Sequence, residues 1–313
     1  MKRFLKILKW TGIIILVLIV GVTVTVMLRQ ELKFDGPYPE VASSKDSAVI
    51  ARGKELVFGP AHCADCHSLQ NADSLFNLGQ NVELSGGYLF DMPIGKIYTK
   101  NITPDSTTGI GRYTDKEIAR ALRYGVGPDG SAFFDFMPFH NTSDEDLSAI
   151  ISYLRAQKPV KKEIPKNSFN TVGKVVKAFL IKPVGPAGEV PVSVKRDSTA
   201  EYGKYLSVNV ANCSGCHTRR DLMTGEYTGE LFAGGLELEG FVTPNLTTDS
   251  SGRLFTWDQQ QFITRFREGK KLEKSPMPWN SFKRMSDADL IAVYKYLKSL
   301  KPYKTGQPLI ASK

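Results

Sequence analysis

All four cysteines of the chain fall in two strings of one design, Cys63-Ala64-Asp65-Cys66-His67 and Cys213-Ser214-Gly215-Cys216-His217, set 150 positions apart. Two thiols three positions apart can reach the two vinyl groups of one porphyrin, and the histidine that follows then lies beneath its iron. A redox Cys-x-x-Cys pair or a four-cysteine zinc site uses the same residues, but a zinc site brings its pairs much closer in sequence. The strings therefore predict two covalently bound haem c groups, attached through Cys63, Cys66, Cys213 and Cys216, with His67 and His217 as iron ligands. Such attachment takes place outside the cytoplasm.

The surroundings of the strings also recur in the same order and at nearly the same offset, as in a duplicated unit. Gly53-Lys54-Glu55-Leu56 matches Gly203-Lys204-Tyr205-Leu206, in short helical patterns starting at Ser47 and Ser198. Gly86-Gly87 matches Gly234-Gly235, and Asn101-Ile102-Thr103-Pro104-Asp105 matches Asn245-Leu246-Thr247-Thr248-Asp249. A helix with a capping box and a glycine stop is expected from Thr114 to Gly125, and another, two residues longer, from Thr256 to Gly269. Closing helices follow Ser143 and Ser286, with apolar faces at Leu147, Ile150, Ile151 and Leu154 and at Leu290, Val293, Tyr294 and Leu297. Both stop before a proline, Pro159 and Pro302. Helices this short are marginal alone in water, so a porphyrin between them would form part of the core.

The net charge of +9 raises the question of nucleic acid, but residues 1–33 hold +5 of it, which leaves +4 on everything after. Haem propionates would bring that remainder close to neutral, so no nucleic-acid partner is expected. The basic start precedes residues 10–28, an apolar run whose only polar side chains are Thr11, Thr23 and Thr25. It has the length of a transmembrane helix, and no small-x-small cleavage site follows it. Four basic residues before it against two after it place the N-terminus in the cytoplasm and the remainder on the periplasmic side. The expected organisation is a membrane anchor over 1–33, a tether over 34–46, a haem domain over 47–158 and a connector over 159–197. A second haem domain over 198–302 and a tail over 303–313 complete it. Residues 172–181 of the connector form an amphipathic patch, read as a short helix lying across both domains, with membrane binding as the alternative because both uses need the same pattern.

Each iron needs a second axial ligand. A Met-Pro pair precedes each closing helix, so Met137 and Met277 are the candidates; Met92, His62 and His140 are the competitors. Thioether sulfur favours ferrous iron and leaves no open position, which argues for electron transfer rather than catalysis.

The order of haem string, Gly-Gly, Asn-Ile-Thr-Pro-Asp, Thr-x-x-Glu helix, Met-Pro and Ser-Asp-x-Asp helix resembles the cytochrome c subunits of membrane-bound alcohol and gluconate dehydrogenases. The resemblance covers nearly all of residues 47 to 302. It implies an all-α fold, two tandem class I cytochrome c domains after an N-terminal transmembrane helix, with axial pairs His67/Met137 and His217/Met277. It further implies that Gly53 and Gly203 let the first helix of each domain cross the closing helix near Tyr153 and Tyr296. The donor would be a dehydrogenase, and the acceptor quinone, a soluble cytochrome or an oxidase. That family usually carries three haem strings and a different anchor. An N-terminal anchor with two haem domains is also similar to the electron-donor subunit of high-affinity haem-copper oxygen reductases. A haem enzyme of the two-haem peroxidase or thiosulfate dehydrogenase type is the remaining alternative, although no fifth cysteine exists to serve as an axial thiolate.

Overall fold

The computed structural model describes residues 1–70, 72–221 and 225–306, so most of the tail expected over 303–313 lies outside the described residues. In chain order the first helices are α1 (Lys2–Arg29), α2 (Ser47–Phe58), α3 (Cys63–His67), α4 (Ala72–Asn77), α5 (Asp115–Tyr124) and α6 (Asp144–Ala156). There follow α7 (Thr171–Phe179), α8 (Ala200–Tyr205), α9 (Cys213–His217), α10 (Gln259–Arg267), α11 (Trp279–Phe282) and α12 (Asp287–Ser299). Strands β1 (Leu89–Met92), β2 (Gly95–Tyr98) and β3 (Ser168–Phe169) form one antiparallel sheet, and β4 (Glu237–Leu238) and β5 (Phe241–Val242) a second. Helices dominate, but all-α is therefore only part of the description. The β4–β5 turn is two residues long, Glu239 and Gly240, both at positive φ, which is the backbone a tight hairpin needs.

The duplication is structural. α2 crosses α6, and α8 crosses α12. A Cβ on Gly53 would sit 1.9 Å from the Ala149 carbonyl oxygen, and one on Gly203 would sit 1.9 Å from that of Ala292. Only glycine admits so close a crossing. The first contact lies beside Tyr153 as expected, and the second is made with Ala292 and Val293, one turn ahead of Tyr296. Apart from Tyr294, which is only partly buried, the apolar faces foreseen on α6 and α12 are buried, with Leu147, Ile151 and Leu290 fully so. Each such side chain contributes about 1.5–3 kcal/mol on leaving water.

Two helix starts differ from expectation. Thr199, not Ser198, caps α8. α10 is capped by Asp258, whose carboxylate accepts from Gln261 N–H while the Gln261 side chain returns to Asp258 N–H. Thr256-x-x-Gln259 and Asp258-x-x-Gln261 are overlapping capping boxes. The ionised carboxylate is the better partner for the helix N-terminus, and choosing it removes the supposed two-residue excess over α5.

Residues 34–46 lie flat along the first repeat rather than hanging free. Phe34 N–H bonds the Gly130 carbonyl, Val41 is buried, and Ser43 donates both its N–H and its hydroxyl to Asp115. The connector also stays with the first repeat. Asn170, following β3, caps α7 and donates to the Pro93 carbonyl, while Pro191 and Val192 carbonyls accept from the first turn of α6. α7 rests on the β1–β2 turn and on α1, not across both repeats.

The repeats meet through their helix crossings. Arg52 of α2 makes a two-pronged ion pair with Asp146 of α6, at 2.9 and 3.1 Å, and both side chains are only 8% exposed. Across the interface Arg52 donates to Tyr202 Oη at 3.2 Å, and Tyr205 Oη donates to Asp146 at 2.8 Å. Arg52 and Tyr202 hold equivalent positions of the two repeats. A residue that touches its own counterpart lies on an approximate two-fold axis.

Candidate functional site

Both Cys-x-x-Cys-His strings fold as one short helix entered through a left-handed residue, His62 at φ 39° and Asn212 at φ 49°. Each is reached by a turn in which an alanine N–H bonds a carbonyl five residues back, Ala61 to Leu56 and Ala211 to Leu206. His67 and His217 are each 8% exposed. His67 Nδ1 is 2.8 Å from the Lys100 carbonyl oxygen, and His217 Nδ1 is 2.9 Å from that of Pro244. A carbonyl only accepts, so Nδ1 carries the proton and Nε2 presents a lone pair. Burial pushes both imidazoles below their ordinary value, opposed by these bonds, which keeps them neutral as an iron ligand must be.

The carbonyl that holds each histidine is itself held. Gly86 N–H bonds the His67 carbonyl and Gly87 N–H that of Thr99; Gly234 bonds His217 and Gly235 bonds Thr243. All four glycines have positive φ, and a Cβ on Gly86 would lie 2.4 Å from the Lys100 carbonyl oxygen. Asn101 accepts from Thr103 N–H and Oγ1 and donates to the Val160 carbonyl, while Asn245 does the same for Thr247 and Tyr303. Sequence alignment of the two halves exposes these residues as repeated but gives them no role. Their role is to lock the loop behind the histidine to the chain leaving the closing helix.

Burial, then mutual repulsion with Cys66, raises the Cys63 thiol to about 12, and burial followed by repulsion with Cys216 raises Cys213 to about 12. That is the opposite direction from the lowered values of nucleophilic and redox Cys-x-x-Cys sites. Among the described residues no cluster of His, Cys, Asp and Glu could hold a bare metal ion.

Met137 and Met277 are half-buried against the core in equivalent turns. Phe139 N–H bonds the Met137 carbonyl and Trp279 N–H the Met277 carbonyl, each at 2.8 Å, with Pro278 at φ −76°, ψ 59°, an inverse γ-turn. Met92 pairs with Gly95 at the end of the β1–β2 hairpin. The His140 ring is occupied at both nitrogens, Nδ1 on the Arg123 carbonyl and Nε2 on Asp135. His62 bonds the Pro60 carbonyl and packs edge-on against Phe282 of the second repeat, at 5.5 Å.

Each repeat thus offers two thiols, a neutral buried imidazole with a free lone pair and a thioether turn, the donor set that fits a covalent haem. That defines a tandem haem-binding protein of predominantly helical build. The sequence profile of the cytochrome c family matches residues 50–158 and 200–301, and the chain belongs to that family. Its two matched regions carry two covalently bound haem c groups. The chain is similar to the fructose dehydrogenase cytochrome subunit of Gluconobacter japonicus, 28% identical over 84% of this chain and 55% of that protein. It is similar to the cytochrome c subunit of the quinone alcohol dehydrogenase of Gluconobacter oxydans, at 29%, over 86% and 58% of the two chains. It is also similar to a nicotinate dehydrogenase subunit of Pseudomonas putida, at 29%, over 86% and 22%. The chain therefore spans well under two thirds of these relatives' lengths.

Proposed function

We propose that the protein is a membrane-anchored di-haem electron carrier and not itself an enzyme, working on the periplasmic face between a dehydrogenase and the respiratory chain. Cys63, Cys66 and His67 hold one haem, and Cys213, Cys216 and His217 the other, in domains spanning 47–158 and 198–302 of class I type. Met137 and Met277 fill the sixth positions. The group supplies reversible one-electron chemistry at iron. The chain's own residues fix its axial imidazole in one tautomer, bury it and close its far side. The observation that carries this reading is the identity of the two cradles down to single hydrogen bonds, including the Met-Pro turn.

The two sites are also neighbours. His62, beside the first attachment string, packs on Phe282 just past the second Met-Pro turn, and Thr142, just past the first, donates to the Asn209 carbonyl ahead of the second string. Electrons crossing between repeats have a short packed route. The names of the relatives support a dehydrogenase as donor, with quinone, a soluble cytochrome or an oxidase as acceptor. α1 supports the anchor, since an 18-residue window of it has mean hydropathy 2.7 and the helix is about 42 Å long at helical rise.

The test is Met137→Ala and Met277→Ala in the holoprotein. Each should abolish the near-infrared sulfur-to-iron band of one haem, lower that haem's potential and let carbon monoxide bind it, while both haems stay attached. Unchanged spectra for Met137→Ala together with altered ones for Met92→Ala would overturn the assignment in the first repeat.

A further inference from the structure

α1 does not end in free chain. Val26 is buried, Arg29 Nε donates to the Ala178 carbonyl of α7 at 3.2 Å, and the Arg29 guanidinium lies 5.2 Å over the Phe179 ring. Glu31 is paired with Lys177. α7 in turn cannot rotate, because a Cβ on its Gly173 would lie 2.0 Å from the Ile94 carbonyl oxygen of the β1–β2 turn and Ala178 is buried. With those sides taken, α7 leaves Val172, Val175 and Phe179 exposed at 59%, 41% and 40%. They stand at i, i+3 and i+7, one stripe of a helix. α7 is fastened to the last turn of α1, where Met27 and Leu28 are exposed. The polar residues beside the stripe are lysines, Lys174 and Lys182, both exposed.

We infer that α7 is an interfacial helix whose Val172, Val175 and Phe179 enter the headgroup–acyl boundary of the outer leaflet, so that the connector seats the first repeat on the bilayer. The occupant is lipid rather than a protein because α7 is fastened to the end of a helix long and apolar enough to cross a membrane. Apolar side chains there leave water, and lysine stems reach the headgroups. The inference rests on α1 being retained as the anchor.

The test places one nitroxide at a time, through Val175→Cys, Leu16→Cys or Val242→Cys, in the full-length holoprotein with its native cysteines in thioether linkage. Val242, on the second repeat's hairpin, is 67% exposed. The protein is reconstituted in phosphatidylcholine–phosphatidylglycerol vesicles, the haems are reduced, and power saturation with oxygen and with a nickel chelate reports depth. Leu16 should read deep, Val175 shallow but oxygen-favoured, and Val242 aqueous. A Val175 reading equal to that of Val242, with Leu16 still deep, overturns the inference and leaves the anchor standing. A mature chain lacking residue 16, or an aqueous Leu16, overturns the anchor reading and the inference with it. As a second readout, Val172→Asp/Val175→Asp should broaden the haem orientation seen by linear dichroism in stacked bilayers; an unchanged orientation counts against the inference.

Discussion

The two repeats hold their histidines alike and differ in almost everything around them. The first carries α1, the packed strap 34–46, a three-stranded sheet and α7; the second has a two-residue hairpin in place of the sheet. Around the Met137 turn, Phe90, Phe136, Phe134 and Phe169 stack in a run toward α7, with ring centres 4.8 to 6.1 Å apart. Around the Met277 turn, Trp279 is sandwiched by Phe266 and by the Arg265 guanidinium at 3.6 Å. The histidine cradles and the methionine turns are alike in the two copies, whereas the side chains packed around those turns and the outer layers differ. A guanidinium directly on the aromatic next to one methionine turn, against a longer aromatic run with Lys177 only at its far ring Phe169 near the other, gives the two turns unequal surroundings.

The sharpest way to break the comparison is to remove the thiols of one repeat at a time. Cys63→Ala/Cys66→Ala and Cys213→Ala/Cys216→Ala should each leave one covalent haem, read as denatured intact mass, against two in the parent. Loss of both from either variant would show that the repeats do not mature independently.

The interface comes next. Asp146→Asn strips the charge partner from buried Arg52 and should cost about 3–5 kcal/mol, measured by denaturant unfolding. Tyr202→Phe, its neighbour on the pseudo-two-fold axis, should cost only about 0.5–1.5 kcal/mol. A small effect of Asp146→Asn would mean that Arg52 reaches water.

Asn101→Ala and Asn245→Ala test whether the cradles are equal in energy as well as in geometry. Each strands the Thr and the post-helix carbonyl it ties, so each should cost about 1–3 kcal/mol. Values differing by more than a factor of about three would set the repeats apart, well outside the usual context scatter.

The smallest effect concerns the strap. Burial opposes ionisation of Asp115, but hydrogen bonds from Ser43 and the Arg155 pair outweigh it and hold the carboxyl below its ordinary 3.8. Its contribution is complete above that value and is lost as pH falls through the lower folded value. Hydrogen exchange at residues 38–44 should therefore rise on acidification below about pH 4, less so in Asp115→Asn. Gln259 stands at this position in the second repeat, which should show no matching change.

Legibility followed range along the chain. The haem strings and the Ser143 and Ser286 caps are local patterns with one physical meaning, and they read directly, whereas the Gly53 crossing comes through the family resemblance. Asp258 is hidden because two capping boxes overlap by two residues and only geometry separates them. The first sheet is hidden because its strands span four residues or fewer, too few for alternation to show, and β3 arrives from some seventy residues away. Met137 and Met277 stand out by position alone; their shared γ-turn has no sequence signal beyond the proline. Arg52 meeting Tyr202, and α7 lying against α1 instead of across both repeats, are long-range packing choices with no local signature.

The strap has a mechanical consequence. Thirteen residues of open chain would let a head swing over about 45 Å around its anchor. Here that length is wound onto the head, and α1 is clasped by α7, so the leash has no slack. With α1 as the proposed membrane anchor, a donor or acceptor would be met by drifting in the plane of the membrane at one fixed height. Partners are screened less by how tightly they bind than by the level at which they carry their own redox centre.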